Sequence, residues 1–290
     1  MHRSLLFVPG DSDKKIAKSE SVPADLIIFD LEDAVAAPAR PDARLRVRNY
    51  LGAKRKRSAS LFVRINPLDT DDAAQDLAVV MAGAPDGIVL PKAHAPGDIQ
   101  TLETMLDEAE KAAGLSPGAT RILPVATETP AALFSLGEYR HVASRLAGLT
   151  WGAEDLSAAI GAINKHGDAS EWSHPFELAR SLCLFAASAA GAPAIDTLYA
   201  DFRDMDGLTA SATRARRDGF TGKLAIHPAQ VETINAAFTP SSEEIDEANA
   251  IIDLFAANPD AGALSYKGRM VDMPHLVQAK KIIALAKKAQ

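Results

Sequence analysis

The sequence predicts an α/β fold: a (β/α)8 TIM barrel with a C-terminal helical extension. Eight short apolar runs recur along its 290 residues. They are rich in Val, Ile, Leu and Phe and do not alternate with polar residues, the pattern of parallel strands buried on both faces. Stretches of roughly one helix length separate them. Eight strands alternating with helices favour a closed barrel over an open sheet. An open dinucleotide fold also lacks its fingerprint, since no GxGxxG follows the first run. VPGDSDKK is not a phosphate loop, because it has no second glycine before Lys-Ser or Lys-Thr.

In order, the runs are SLLFVPG, LIIFDLED, SLFVRIN, GIVLPK, RILPVATE, LTWGAED, AIDTLY and LAIHP. Helical segments lie between them. DDAAQDLAVVMAG spaces its apolar residues by three and four, with aspartates in its first turn. IQTLETMLDEAEKAAG ends at Gly114, a helix-terminating residue. PFELARSLCLFAASAAG starts with Pro175 and ends at Gly191. GLTASATRARRDGF is a shorter amphipathic helix ending at Gly219. Beyond the eighth run, Ser241 or Ser242 caps a helix over SSEEIDEANAIIDLFAAN. AGALSYKGRMVD reads as a β-ribbon turning at Lys267-Gly268, and MPHLVQAKKIIALAKKAQ as a last helix. We therefore expect a barrel over 1–236 and an extension over 237–290 that has little core of its own.

Composition narrows the class. The chain is 47% hydrophobic and 24% charged, ordinary for a globular protein with a large core. Its net charge of −7 argues against nucleic acid as a bulk partner. The one basic run, Lys54-Arg55-Lys56-Arg57, reads as a solvated loop or helix end, with a phosphate contact as the alternative. The single cysteine, Cys183, sits in an apolar helical context and is expected to be a core residue, not a nucleophile. No intrachain disulfide is possible, which suits a reducing compartment. The apolar stretch of MHRSLLFVPG is too short for a signal peptide, and no run approaches the roughly 18 residues of a membrane span. The expected location is cytoplasmic.

Parallel strands bring their C-terminal ends to one face, so the residues ending the runs should collect there. Glu128 and Asp155 end the fifth and sixth runs. Two neighbouring carboxylates repel unless a cation lies between them. Mg2+ is the natural candidate, since it takes oxygen ligands and is often held by one or two carboxylates plus substrate and water. The alternative is that both acids pair with basic residues at the rim. No His/Cys cluster has zinc spacing. In FDLED, alternation puts Asp30 and Glu32 on one face, with Asp33 beginning the loop. They are candidates for a metal-bound water, a basic partner or a loop cap. Arg64, which ends the third run with Asn66, is suited to clamp a carboxylate or enolate, or else to pair with Glu32 or Asp33. Lys92 is a Schiff-base candidate or an electrostatic partner. Carboxylates around it would keep it protonated, which disfavours the first role. Asp196 is a candidate organiser of the site. His227 leans towards a structural role, and Trp151 towards core or pocket wall.

RSLLFVPG, FDLEDAV with Ala43-Arg44 downstream, VRIN, GIVLPK, ATETP, GAEDL, AIDTLY, GFTGKLAIHPAQ and GRMVDMP occur here in order. In that combination the chain resembles the citrate lyase β-subunit-like proteins of the HpcH/HpaI aldolase/citrate lyase superfamily. That group includes malyl-CoA and citramalyl-CoA lyases and related thioesterases. The resemblance runs from about Arg3 to the last helix. It implies a TIM barrel assembling as a trimer or hexamer. It implies Mg2+ on Glu128 and Asp155, an Arg64 that contacts the substrate, and a catalytic role for Asp272, carried by the extension into a neighbouring subunit's site. Beside these, Arg64, Glu32 and Asp33 are candidate catalytic residues, and Lys92, Pro9 and Gly10 candidate substrate-binding positions. An N-cap of the last helix is the alternative for Asp272. The implied reaction is reversible Claisen-type cleavage of a carboxylated 3-hydroxyacyl-CoA into a 2-oxo acid and an acyl-CoA enolate. Arg64 would steady the enolate or orient the oxo acid, and Asp272 would exchange the proton. Hydrolysis of malyl-CoA, or service as the carrier-dependent subunit of a citrate lyase complex, are the alternatives. The sequence departs from the commonest pattern at Thr127, where an aliphatic residue is usual, and in AINKHG.

Overall fold

The structure, a computed structural model, describes residues 2–53, 58–142, 144–166 and 172–289. The basic run Lys54–Arg57 lies outside the described residues. The first half of the barrel is β1 (Ser4–Pro9), α1 (Asp13–Ser19), β2 (Leu26–Asp30), α2 (Arg40–Gly52), β3 (Ser60–Arg64), α3 (Asp71–Val80), β4 (Gly87–Leu90) and α4 (Pro96–Ala113). The second half is β5 (Arg121–Pro124), β6 (Leu149–Thr150), α5 (Ala153–Ile160), α6 (His174–Ala189), β7 (Ala194–Asp196), α7 (Met205–Asp218), β8 (Gly222–Ala225) and α8 (Gln230–Phe238).

The eight strands are parallel, in the order β5-β4-β3-β2-β1-β8-β7-β6. The two ends of that order meet. Ile122 bridges Leu146 and Val125 bridges Thr150. The Ala147 N–H donates to the Ile122 carbonyl and the Ala126 N–H to the Thr150 carbonyl, each at 2.8 Å. The sheet is thus a closed or nearly closed barrel, as predicted.

Side chains sort by alternation along each strand. Leu5, Leu26, Ile28, Phe62, Val89, Leu123, Val125, Ile195 and Leu224 form one buried cluster, the barrel interior. Their sequence neighbours, such as Leu6, Ile27, Phe29, Val63, Ile88 and Ala225, join the larger cluster under the helices. Cys183 lies in that outer layer, fully buried, as expected of a core residue.

Two expectations need correction. The sixth run is a strand only at Leu149–Thr150; α5 starts at Ala153, so Asp155 stands in a helical first turn and not at a strand end. Gly152 breaks the strand there, and Glu154 and Asp155 suit the positive end of the new helix. Between β5 and β6 there is no α-helix among the described residues, only 3-10 turns over Ala131–Phe134 and Leu136–His141. Pro130 precedes the first turn and Gly137 lies within the second, both poor residues for an α-helix interior.

The extension comprises α9 (Ser242–Ala257), a hairpin of β9 (Ala263–Tyr266) and β10 (Arg269–Asp272), and α10 (Met273–Ala289). Ser241 and Glu244 cap α9 reciprocally, an arrangement worth about 1 kcal/mol. The hairpin turns at Lys267 (φ 46°) and Gly268 (φ 75°), both left-handed as a tight two-residue turn requires. Ala248, Ile251, Phe255, Val271, Leu276 and Ala279 make a small core, and α10 packs on α9 and β10. The barrel's last helix runs past position 236 to Phe238. No helix among the described residues is long and apolar enough to cross a membrane.

Candidate active site at the C-terminal mouth

Asp30 and Arg64 end β2 and β3 and are direct register partners. Each continues the inward alternation of its strand, after Ile28 and Phe62. Facing each other across two hydrogen-bonded strands, they form a bidentate pair: Arg64 Nε to Asp30 Oδ1 and Nη2 to Oδ2, both 2.7 Å. The Glu32 and Ala34 N–H groups also donate to Asp30, at 3.0 Å each. Asp30 therefore accepts two bonds on each oxygen, and its charge is spent on ordering the loop that carries Glu32 and Asp33. The other Arg64 nitrogen, Nη1, lies 3.0 Å from Glu32 and 3.4 Å from Asp33, and the guanidinium stacks over Phe7. Arg64 is thus foremost the counter-ion of three acids, the pairing alternative in a fuller form than expected. One Nη2 hydrogen remains beyond the Asp30 bond.

Lys92 follows β4 with φ 49°, a left-handed conformation that costs a non-glycine residue about 1–2 kcal/mol. Three contacts hold it there. Its backbone N–H donates to Glu128 Oε2 at 2.5 Å. Its ammonium bonds Glu32 and lies 3.3 Å from Asp155. Burial works against the ammonium, yet Glu32, Asp33 and Asp155 raise its pKa well above the ordinary lysine value. Lys92 is therefore a fixed cation, which disfavours Schiff-base chemistry as expected.

Glu128 is 5% exposed. Its carboxyl is pushed up to about 8, first by burial and further by the charges of Asp155 and Glu32, against the Lys92 N–H bond. Burial also raises Glu32, held back by Arg64 and Lys92. Its Oε2, though close to Arg64, has no hydrogen bond of good geometry. Five carboxyl groups here face two cations. A divalent ion with oxygen ligands fits that imbalance. Among the described residues no three acidic, imidazole or thiol groups form a preformed cage. Glu128 and Asp155 would be the protein ligands, with water and substrate completing the shell, which suits Mg2+.

Other candidates fall elsewhere. Pro9 pairs with Asp30 in register and continues the inward parity of β1. Gly10 is packed tightly: a Cβ there would lie 2.8 Å from the Asp30 carbonyl, so the position has a backbone reason to be glycine. Asn66 is buried, bonding Asp76 and the Leu31 carbonyl. Asp196 does not organise the mouth. Ile195 points inward, so Asp196 points outward, where it binds Lys223 (2.8 Å), Arg180 (3.1 Å) and the Trp151 indole N–H (2.7 Å). Trp151 is accordingly core. His227 stacks on Phe202 and accepts from the Ala229 N–H, a structural role. Asp272 ends β10 and bonds His275 at 2.5 Å within the extension.

Sequence reasoning missed the hydroxyl of Thr127, noted only as a departure from pattern. It is fully buried and accepts from the Gly152 N–H at 3.1 Å. It also missed the Asp30–Arg64 pairing, although LIIFD and SLFVR, equal in length and ending in opposite charges, carried the signal.

Residues 3–228 match the HpcH/HpaI aldolase/citrate lyase family. The chain is 34% identical over 286 residues to citrate lyase subunit beta of Escherichia coli strain K12, covering 98% of this chain and 93% of that protein. It is 33% identical over 300 residues to a mitochondrial citramalyl-CoA lyase of Rattus norvegicus, covering 98% and 86%. It is 32% identical over 286 residues to a (3S)-malyl-CoA thioesterase of Cereibacter sphaeroides, covering 98% and 94%. A crystal structure of CitE from Mycobacterium tuberculosis, in complex with magnesium, acetoacetate and coenzyme A, superposes with a TM-score of 0.78 at 31% identity, covering 98% of each chain.

Proposed function

The chain belongs to the HpcH/HpaI aldolase/citrate lyase family, and on that premise we propose that it is a Mg2+-dependent carbon–carbon lyase acting on a carboxylated 3-hydroxyacyl-CoA. Malyl-CoA and citramalyl-CoA represent the substrate class. One observation carries the reading. Lys92 bonds one acid, Glu128, through its backbone and approaches a second, Asp155, through its ammonium, at the barrel face where catalytic groups gather.

Glu128 and Asp155 would hold Mg2+, which when bound supplies Lewis-acid stabilisation of the substrate oxygen that loses its proton. The protein's own groups do the rest. Lys92 orients Glu32 and offsets part of the burial that raises its carboxyl. Asp30 fixes Arg64, whose spare Nη2 hydrogen is available to an oxo-acid carboxylate or enolate oxygen. Breaking the C–C bond leaves its electron pair on the acyl α-carbon as a thioester enolate. The substrate hydroxyl releases its proton to solvent and the α-carbon takes one up; Asp272 is the proposed donor and is reprotonated from solvent, so the overall cleavage is proton-neutral. In its own chain Asp272 contacts His275. The same proposal therefore includes a homo-oligomer, trimer or hexamer, in which a neighbour's extension supplies Asp272. It also places the enzyme in the cytoplasm, where a lone buried thiol such as Cys183 stays reduced.

The test is a panel of malyl-, methylmalyl-, citramalyl- and citryl-CoA with Mg2+ and identification of products. Release of a 2-oxo acid supports the lyase. Release of the free hydroxy acid identifies a thioesterase, the activity named for the Cereibacter sphaeroides relative. Inactivity on every free CoA ester, with activity on a carrier-linked citryl group, identifies a complex subunit.

A further inference from the structure

We propose that the Thr127 hydroxyl is a positioning group that fixes the spacing between Glu128 and Asp155. The inference rests on the reading of those two acids as the metal ligands. They arrive on different segments. Glu128 sits in the turn after β5; Asp155 is the third residue of α5. Besides Lys92, which contacts both acids, three ties join these segments or hold one of them. The Ala126 N–H donates to the Thr150 carbonyl at 2.8 Å. The Trp151 indole is anchored to Asp196 at 2.7 Å, itself gripped by Lys223 and Arg180. These two fix the chain as far as Trp151. The next residue, Gly152, immediately precedes α5, and its N–H donates to Thr127 Oγ1 at 3.1 Å.

Of these three ties, the last is the nearest to the two acids. Thr127 is adjacent to Glu128 in sequence, and Gly152 is three residues before Asp155. The segments also touch: a Cβ at Gly152 would lie 2.6 Å from Glu128 Cγ. Contact alone leaves sliding possible, because apolar packing is non-directional. A buried hydroxyl accepting an amide proton removes that freedom, since hydrogen bonds weaken steeply with angle. An aliphatic residue of the same shape would fill the space and leave the Gly152 N–H without this acceptor. Groups that orient metal ligands typically change affinity by about 10- to 100-fold when lost. Mg2+ demands near-ideal octahedral geometry, whereas Ca2+ tolerates longer and more variable distances. Loosening the two acids should therefore cost Mg2+ more than Ca2+.

The experiment is calorimetric titration of the substrate-free protein with Mg2+ and with Ca2+. Thr127→Val should weaken Mg2+ binding by about tenfold and Ca2+ binding by less than about threefold. Thr127→Ser, which keeps the acceptor, should restore Mg2+ affinity. Melting of the metal-free proteins reports folding. If Thr127→Val does not fold, Thr127→Ala replaces it in the same comparison. A folded acceptor-less variant with parental Mg2+ affinity, or equal losses for both ions, overturns the proposal. Glu128→Gln is the control. If it too binds Mg2+ like the parent, the ligand assignment itself is wrong; if it alone loses binding, only the role of Thr127 fails.

Discussion

Lys92 holds a left-handed backbone that glycine would adopt freely, yet the position carries a long cation. Strain of that kind persists only where neighbours over-determine it. Here the neighbours are Glu128 at the backbone and Glu32 and Asp155 at the ammonium. Replacing Lys92 by Ala or by Gly removes the same ammonium, so the two variants differ mainly in backbone cost. We expect Lys92→Gly to be more stable than Lys92→Ala by roughly 0.5–1 kcal/mol, after allowing for the greater unfolded-chain freedom of glycine. Denaturant titration measures this; an Ala variant as stable as the Gly variant would show that the position is unstrained. Both should lose activity. The acids make a sharper residue-scale case. Glu128→Ala and Asp155→Ala should each reduce Mg2+-dependent turnover to background while circular dichroism and melting show a folded barrel. Removing Glu128 relieves the burial and the like charges that push its carboxyl up to about 8, but it also takes the acceptor from the Lys92 N–H, so the change in stability should be small beside the loss of activity. Near-parental turnover in either variant contradicts the metal assignment.

At the scale of elements, β5 and β6 form the weakest seam of the barrel. Isolated bridges close it where other neighbouring strands have longer ladders. Glu110, near the end of α4, braces that seam. Its carboxylate accepts from the Gly118 and Thr120 N–H groups ahead of β5, at 2.8 Å each, and from Arg145 ahead of β6, also at 2.8 Å. Burial pushes its pKa up, but Arg145 and those N–H groups outweigh burial and hold it at about 2, against an ordinary 4.5. The folded value is the lower one, so the stabilisation is fully present above about pH 4.5 and fades as pH falls towards 2. Glu110→Gln should cost about 3 kcal/mol at neutral pH, because it leaves Arg145 buried with one fewer partner. The gap to the parent should shrink between pH 4.5 and 3; a constant gap across that range would falsify the charged role of Glu110. This seam also marks where the sequence was hardest to read. Strands buried on both faces announce themselves as apolar runs, which made most of the barrel legible. The same two-sided burial hides which way each side chain points. Asp196 therefore looked like a mouth residue, although Ile195 takes the inward place on β7. In LTWGAED the apolar start masked a two-residue strand running straight into a helix. That Glu128 and Asp155 come to the mouth was readable from their place after the apolar runs. Their joining through Thr127 and Gly152 was not, because a contact between two connecting segments leaves no periodic trace.

For the whole molecule, the question is where Asp272 works. The extension is built as an arm: α10 packs on α9 and β10, and its core is separate from the barrel's. A charged bond between Arg216 on α7 and Glu244 on α9, 2.8 Å long, helps tie it to the barrel. Around Asp272 the arm exposes apolar side chains, with Met270 at 68%, Met273 at 50% and Val277 at 51%. Apolar surface beside an acid is poor design for a solvated tip and good design for a tip seated on another subunit, where it would bury area and shield the acid from water. If Asp272 acts in this way, each chain carries both halves of the machinery but no site is built from one chain alone. Chains carrying Glu128→Ala retain a competent arm, and chains carrying Asp272→Ala retain a competent metal pair. Each variant alone should be inactive. Co-refolding or co-expression of the two should regenerate sites that combine a native mouth from one chain with a native arm from another. In a random mixture of a ring of trimers, activity should rise from background to a substantial fraction of the parent's, tracking the content of mixed oligomers resolved by tag-based separation. Activity that stays at background in the mixed species, with the oligomer intact by light scattering, places Asp272 within its own chain or outside the reaction.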